Sequence, residues 1–244
     1  MRTLGRATLI VAGLRALTEG DIKKIVALST LSQLGVIVIG LGAGSASLAF
    51  LHLVAHAFFK ALLFLGVGSC IHACARYQDL KIRSNLSHPL PFTSRVLIAA
   101  KVRLCGLPFF SGFFRKETIL EGIEHLGPSS AAAFSLIIFG ILLTQLYTIR
   151  FIKKVMIRVS TFSVLHHRSD SDRATNVAMV ILIAPAFIGG RILLRAKLGS
   201  LGLTCNPRFD KTVVVLRVGL SAYALWCFDS QPRNPSPLKL MGYL

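Results

Sequence analysis

Three side chains that can take up and release a proton, His52, His56 and Lys60, stand four residues apart inside the apolar run 48–74. On a helix, steps of four leave successive side chains only about 40° apart and about 6 Å further along the axis, so the three form one stripe. A run of this length crosses a bilayer, which takes roughly 20 apolar residues. Ionisable groups at the centre of a span cost about 2.5–3.5 kcal/mol each on insertion scales, so three on one face call for a function. Histidine titrates near neutral pH, and a lysine in a low-dielectric site is held less firmly in its charged form, so the chemistry to weigh first is proton transfer. The bland alternative, a hydrogen-bonded core histidine, suits one such residue better than three in register. His52 and His56 also have a spacing that can share a metal, but zinc hydrolases of that type carry a glutamate beside the first histidine, where this chain has Leu53.

The 244 residues are 53% hydrophobic, with mean hydropathy +0.66, which is too apolar for an ordinary soluble domain and indicates a polytopic membrane protein. The net charge of +18 would suggest nucleic acid in a soluble protein, but here the cations are scattered between and within apolar runs, which argues against it. Cys70, Cys74, Cys105, Cys205 and Cys227 are odd in number and mostly lie in apolar runs, so no disulfide framework follows. Cys70, His72 and Cys74 alternate and point apart on a helix, and metal binding there is not expected.

The elements that must position the stripe follow in chain order. Residues 1–20 have the character of the tail of a preceding span. Asp21 is placed to cap a helix over 22–42, whose first third carries Ser29, Thr30, Ser32 and Gln33, suited to interhelical contacts or to a polar path. Residues 42–44 form a turn, and the stripe helix follows. A further apolar segment over 92–110 carries Lys101 and Arg103, both far from easy contact with water, and Pro108 with its flanking glycines breaks a helix just before Lys116 and Glu117. A span over 131–152 has Tyr147 and Arg150 at one end. Residues 159–176 form a polar loop, 177–228 two further spans, and 229–244 a proline-rich tail, for about six full spans in all. The expected fold is all-α, a polytopic transmembrane helical bundle.

DIKKIVALSTLSQLG at 21–35, HLVAHAFFKALLF at 52–64 and GFFRKE at 112–117 closely resemble the subunit 5 family of NADH dehydrogenase, antiporter-like membrane subunits of mitochondrial respiratory complex I. The likeness runs in order from about Gly13 to Gly122 and more weakly to Arg150. It implies inverted five-helix repeats, each with one broken helix. This chain corresponds to the second repeat, over 21–158, with the first repeat and the long C-terminal lateral helix absent.

By this resemblance the chain translocates protons in the mitochondrial inner membrane. His52, His56 and Lys60 correspond to titratable residues of a central axis, Lys116 to the lysine of the broken helix, and Glu117 to an acidic position beside it. No cofactor is implied in this chain, since NADH, FMN, iron-sulfur clusters and ubiquinone belong to other parts of the complex. The implied partners are the other membrane subunits, above all the neighbouring antiporter-like subunit, and the lipid bilayer. A multisubunit cation/proton antiporter is the nearest alternative, and an inert structural fragment is an alternative of a different class.

The chain departs from the family at Arg15, Lys101, Arg103 and Arg115, where small or neutral residues are usual. A mitochondrial reading frame translated with the standard code gives the same pattern, because AGA and AGG mean serine in many invertebrate mitochondria and AAA means asparagine in some. A decaying nuclear copy and a split gene are the rivals. The codons at positions 15, 101, 103 and 115 decide between these, and CGN arginine codons there exclude the misreading.

Overall fold

Apolar stretches of about twenty residues have few ways to satisfy their backbone in a membrane, and the helix does so within the segment itself. The computed structural model describes residues 1–73, 90–105, 131–157 and 173–186, and every regular element among them is helical. In chain order these are α1 (Arg2–Thr18), α2 (Ile22–Gly42), α3 (Ala46–Ala73), α4 (Pro91–Cys105), α5 (Ala131–Ile152), which continues as a π-helical turn over Lys153–Ile157, and α6 (Arg173–Ala184). Three of the described helical segments, Ile22–Gly42, Ala46–Ala73 and Ser135–Val155, are long and apolar enough to cross a membrane. The 28 residues of α3 span about 42 Å, more than the ~30 Å hydrocarbon core, and Lys60 sits at the middle of the rod. Residues 106–130, with the expected break at Pro108 and with Lys116 and Glu117, lie outside the described residues, as do the spans expected beyond 186.

The α2–α3 connection forms where the sequence suggests. Gly44 adopts φ +81°, and its amide bonds the Leu41 carbonyl at 3.1 Å while that of Ser45 reaches Gly40 O. A side chain at Gly44 would meet open space but a strained backbone. Gly44→Ala is expected to lower the stability of the folded chain by about 1–2 kcal/mol, read as a shifted denaturation midpoint in detergent.

Two expected details differ. Asp21 occupies the N-cap position of α2 with extended backbone, but its carboxylate does not cap the first turn and instead pairs with Lys24 Nζ at 2.8 Å. The exposed lysine one turn on offers a charge, which outcompetes the neutral amides. The polar segment expected to run as a loop to residue 176 already becomes helical at Arg173, so Thr175 and Asn176 belong to the first turn of α6. Polar residues suit a helix start, where amides lack internal partners.

The N-terminal segment is one continuous helix, α1, lying antiparallel against α2. Arg2 Nε donates to Gly42 O at 2.9 Å at one end, and Gly5 and Gly35 face each other along the seam. At the other end the Arg150 guanidinium of α5 donates to the carbonyls of Ala16 and Leu17, a cation placed where the α1 dipole is negative.

Two large apolar clusters hold the bundle, beside a small third one of Ala55, Phe59 and Ala186. One gathers Leu9 of α1, Val36 and Ile39 of α2, Leu48 and Leu51 of α3, and Ile137 and Ile141 of α5. The other joins Ile22, Ile25 and Val26 of α2 with Leu62, Leu63 and Val67 of α3, Leu97 and Ala100 of α4, Phe151 and Val155 of α5, and Met179 of α6. In each of α2, α3 and α5 the buried residues between these two clusters are mainly polar, although Ala55, Phe59 and Leu143 lie among them, and they create a layer across the middle of the bundle.

Candidate functional site: a buried polar layer centred on Lys60

The layer is built from side chains that each helix carries between its apolar ends. From α2 come Ser29, Ser32 and Gln33, all fully buried, while Thr30 turns aside and bonds its own helix at Ala27 O. From α3 come His52, His56 and Lys60, and from α5 Thr144, Gln145, Tyr147 and Thr148. Lys101 reaches in from α4 with no exposed surface at all.

The stripe expected on α3 is present. His52, His56 and Lys60 are all buried, and the two imidazoles stack with ring centroids 6.2 Å apart and planes 16° from parallel. Lys60 is the residue that ties α3 to α2. Its Nζ donates to Ser29 Oγ at 2.6 Å and to Val26 O at 3.0 Å, while the Ser29 hydroxyl donates to the same carbonyl at 2.8 Å. A buried ammonium with hydrogen-bond acceptors avoids much of the cost of leaving water. No carboxylate among the described residues neutralises it, since the acidic groups they contain are Glu19 and Asp21, at the α1–α2 junction.

The contributions of α5 and α4 to the layer are not evident from the sequence: Thr144, Gln145 and Thr148 each carry no signal of their own, and Tyr147 and Lys101 read differently there. Tyr147 was placed at a span end, yet it is 1% exposed, and its hydroxyl faces Ser29, Ser32 and Gln33. Lys101 was marked as a misplaced charge. Its ammonium lies 4.0 Å from the Phe151 ring centroid and 6.0 Å from that of Tyr147, and close enough to Lys60 for the two cations to repel. A desolvated ammonium over an aromatic face gains about 2 kcal/mol or more, which offsets part of its burial cost. A signal for Tyr147 was available only in Thr144, Gln145 and Thr148 taken together, which put further polar groups into an otherwise apolar stretch.

The layer is rich in unspent hydrogen-bonding capacity. Ser32 Oγ, both amide atoms of Gln33, Gln145 Oε1, the Tyr147 hydroxyl and Lys101 Nζ have no hydrogen bond of good geometry among the described residues. Buried polar groups of this kind are ordinarily satisfied by water, so the layer has the lining of a hydrated path. No cluster of three or more His, Cys, Asp or Glu occurs among the described residues. Arg103, two residues along α4, is directed elsewhere and donates from Nη1 to Ala186 O at 3.1 Å.

A bundle of membrane-length helices with a buried, lysine-bearing polar layer defines a class of polytopic membrane proteins. Residues 1–146 match the NADH:quinone oxidoreductase/Mrp antiporter transmembrane family, and the chain belongs to it. Among its relatives, NADH-ubiquinone oxidoreductase chain 5 of Lumbricus terrestris is 38% identical over 222 residues, covering 91% of this chain and 38% of the relative. The chain 5 proteins of Anopheles quadrimaculatus and Mus musculus are 38% and 35% identical, covering 92% and 88% of this chain and 39% and 36% of their own length. The chain therefore spans under two fifths of the length of these relatives.

Proposed function

We propose that the chain is part of a chain 5-type subunit of NADH:ubiquinone oxidoreductase and moves protons through the polar layer, with Lys60 as its central carrier. The observation that carries this reading is Lys60 itself, buried at the middle of a membrane-length helix, held by a hydroxyl and a carbonyl and faced by no carboxylate among the described residues. Its charge can change without breaking an ion pair, and Ser29 offers a hydroxyl through which a proton can leave. His56 and His52 extend the titratable line along α3. Lys116 and Glu117 are the further carriers expected beyond α4.

Electron transfer from NADH to ubiquinone, with its FMN and iron-sulfur clusters, takes place in other subunits, and this chain supplies the proton step. Its setting is the mitochondrial inner membrane, crossed several times, with the neighbouring antiporter-like subunit as its closest partner. The matched family also includes cation/proton antiporters, but the relatives named above favour the respiratory complex.

The test is NADH-driven proton uptake by the assembled complex in vesicles. Lys60→Ala and Lys116→Ala are each expected to lower the number of protons moved per NADH oxidised, and unchanged pumping in either variant removes that residue from the path.

A further inference from the structure

We propose that Lys101 is a second proton-exchanging lysine of the layer, working against Lys60 through the Tyr147 hydroxyl and intervening water. The inference rests on the reading of Lys60 given above and adds to the path a residue and a helix, α4, that neither the stripe on α3 nor the polar patch on α2 contains.

Three independent observations support it. Lys101 is fully buried and its Nζ has no hydrogen bond among the described residues, so the group is aimed into the layer without being consumed by it. Among the described residues, the nearest aromatic face to its ammonium is that of Phe151, at 4.0 Å, with the Tyr147 ring at 6.0 Å. Such a contact favours the ammonium without fixing it as a carboxylate would. Finally, Tyr147 stands beside Lys101 on one side and Ser29, Ser32 and Gln33 on the other, and Ser29 is the hydroxyl that Lys60 holds. The groups thus form a sequence from α4 through α5 and α2 to α3.

The exchange balances in protons. When Lys60 accepts a proton, the added positive charge repels the ammonium of Lys101. Lys101 then passes one proton to water, or to the Tyr147 oxygen while Tyr147 gives its own to water, and that water carries one proton out of the layer, so one enters, one leaves and the layer keeps the same net charge. Among the described residues, the titratable groups facing Lys101 are Lys60 on α3, Tyr147 on α5 and Cys105 one turn along its own helix. None of them is an acid that would hold Lys101 permanently charged near neutral pH.

The test compares Lys101→Met, fixed neutral, Lys101→Arg, fixed positive, and Lys101→His, able to titrate, in the assembled complex in vesicles. Assembly and NADH:ubiquinone electron transfer are measured alongside proton uptake. Met and Arg are each expected to slow proton delivery about tenfold, and His to restore part of it with a pH profile displaced toward acid. Tyr147→Phe, which keeps the ring and removes the relay, is expected to resemble Met. If Arg pumps as the parent does, a fixed charge suffices and the proposal is overturned. Unchanged pumping in both Met and Arg also overturns it, as does asparagine at position 101 by peptide mass spectrometry of the isolated subunit. Loss of pumping in Lys60→Ala together with normal pumping in Lys101→Met defeats this inference alone, whereas normal pumping in Lys60→Ala defeats the reading beneath it.

Discussion

Lys60→Met is expected to abolish proton translocation through this chain, lowering the protons moved per NADH oxidised, while leaving the bundle as stable as before, or slightly more so. The two effects separate because of how Lys60 is held. Methionine has nearly the same length and reach, so it leaves little cavity among the buried neighbours. The carbonyl of Val26 is not orphaned, since the Ser29 hydroxyl still donates to it at 2.8 Å. Two hydrogen bonds from a charged donor are lost, each with a net contribution of about 1.5–3 kcal/mol. Against that, a buried cation is removed, and replacing buried charge by apolar groups of matching shape is often neutral or stabilising. The chemistry has no such compensation, because positioned proton-transfer groups typically contribute about 10²–10⁴-fold to rate. Thermal denaturation of the purified complex and dye-reported proton uptake, taken on the same preparation, check both halves. A variant that still pumps removes Lys60 from the path, and one that fails to pump only because it unfolds assigns Lys60 a structural role.

Gly35→Val is expected to pull α1 away from α2. A Cβ at Gly35 would come within 2.7 Å of Gly5 O and 2.8 Å of Leu9 N, both backbone atoms of α1, with Thr8 Oγ1 equally close. A flexible side chain could move aside, but a helix backbone must shift as a body. The same holds in reverse, since a Cβ at Gly5 would lie 2.8 Å from Gly35 O. Overpacking by a methyl costs about 1–3 kcal/mol where neighbours can yield, and here the branched side chain adds two more carbons against rigid partners. The destabilisation is therefore expected at or above the top of that range. Gly35 is two residues from Gln33, so the disturbance also reaches the polar layer. A cysteine pair introduced across the α1–α2 seam reports the separation as lost cross-linking. Retained cross-linking and an unchanged denaturation midpoint would mean that the seam accommodates the side chain.

The sequence was most legible where a single helix decides the outcome. The register of His52, His56 and Lys60 depends only on 3.6 residues per turn, and α3 presents all three as expected. The bounds 22–42 of α2 and 131–152 of α5 were fixed by composition and recur as Ile22–Gly42 and Ala131–Ile152. Legibility fell where the outcome depends on which helix lies opposite. Ser29 could equally have made an ordinary interhelical contact, and only the packing of α3 on α2 turns it into the acceptor for Lys60. Lys101 looked like a charge in the wrong place because its compensation, the ring of Phe151, is fifty residues away on another helix. Asp21 was assigned its capping position correctly and its partner wrongly, since local pattern does not rank Lys24 against the backbone amides.

The two apolar clusters above and below the layer also have an electrical consequence. Dry hydrocarbon-like packing supports a steep voltage drop, whereas a polar, hydratable stratum supports little, so a membrane potential falls mainly across the clusters. A proton arriving at Lys60 from one side of the membrane has then crossed only part of the field. Moving one elementary charge through the whole field takes about 2.3 kcal/mol per 100 mV, and the layer divides that work into two smaller steps. Proton loading and proton release are each expected to depend on voltage, and each less steeply than the complete passage.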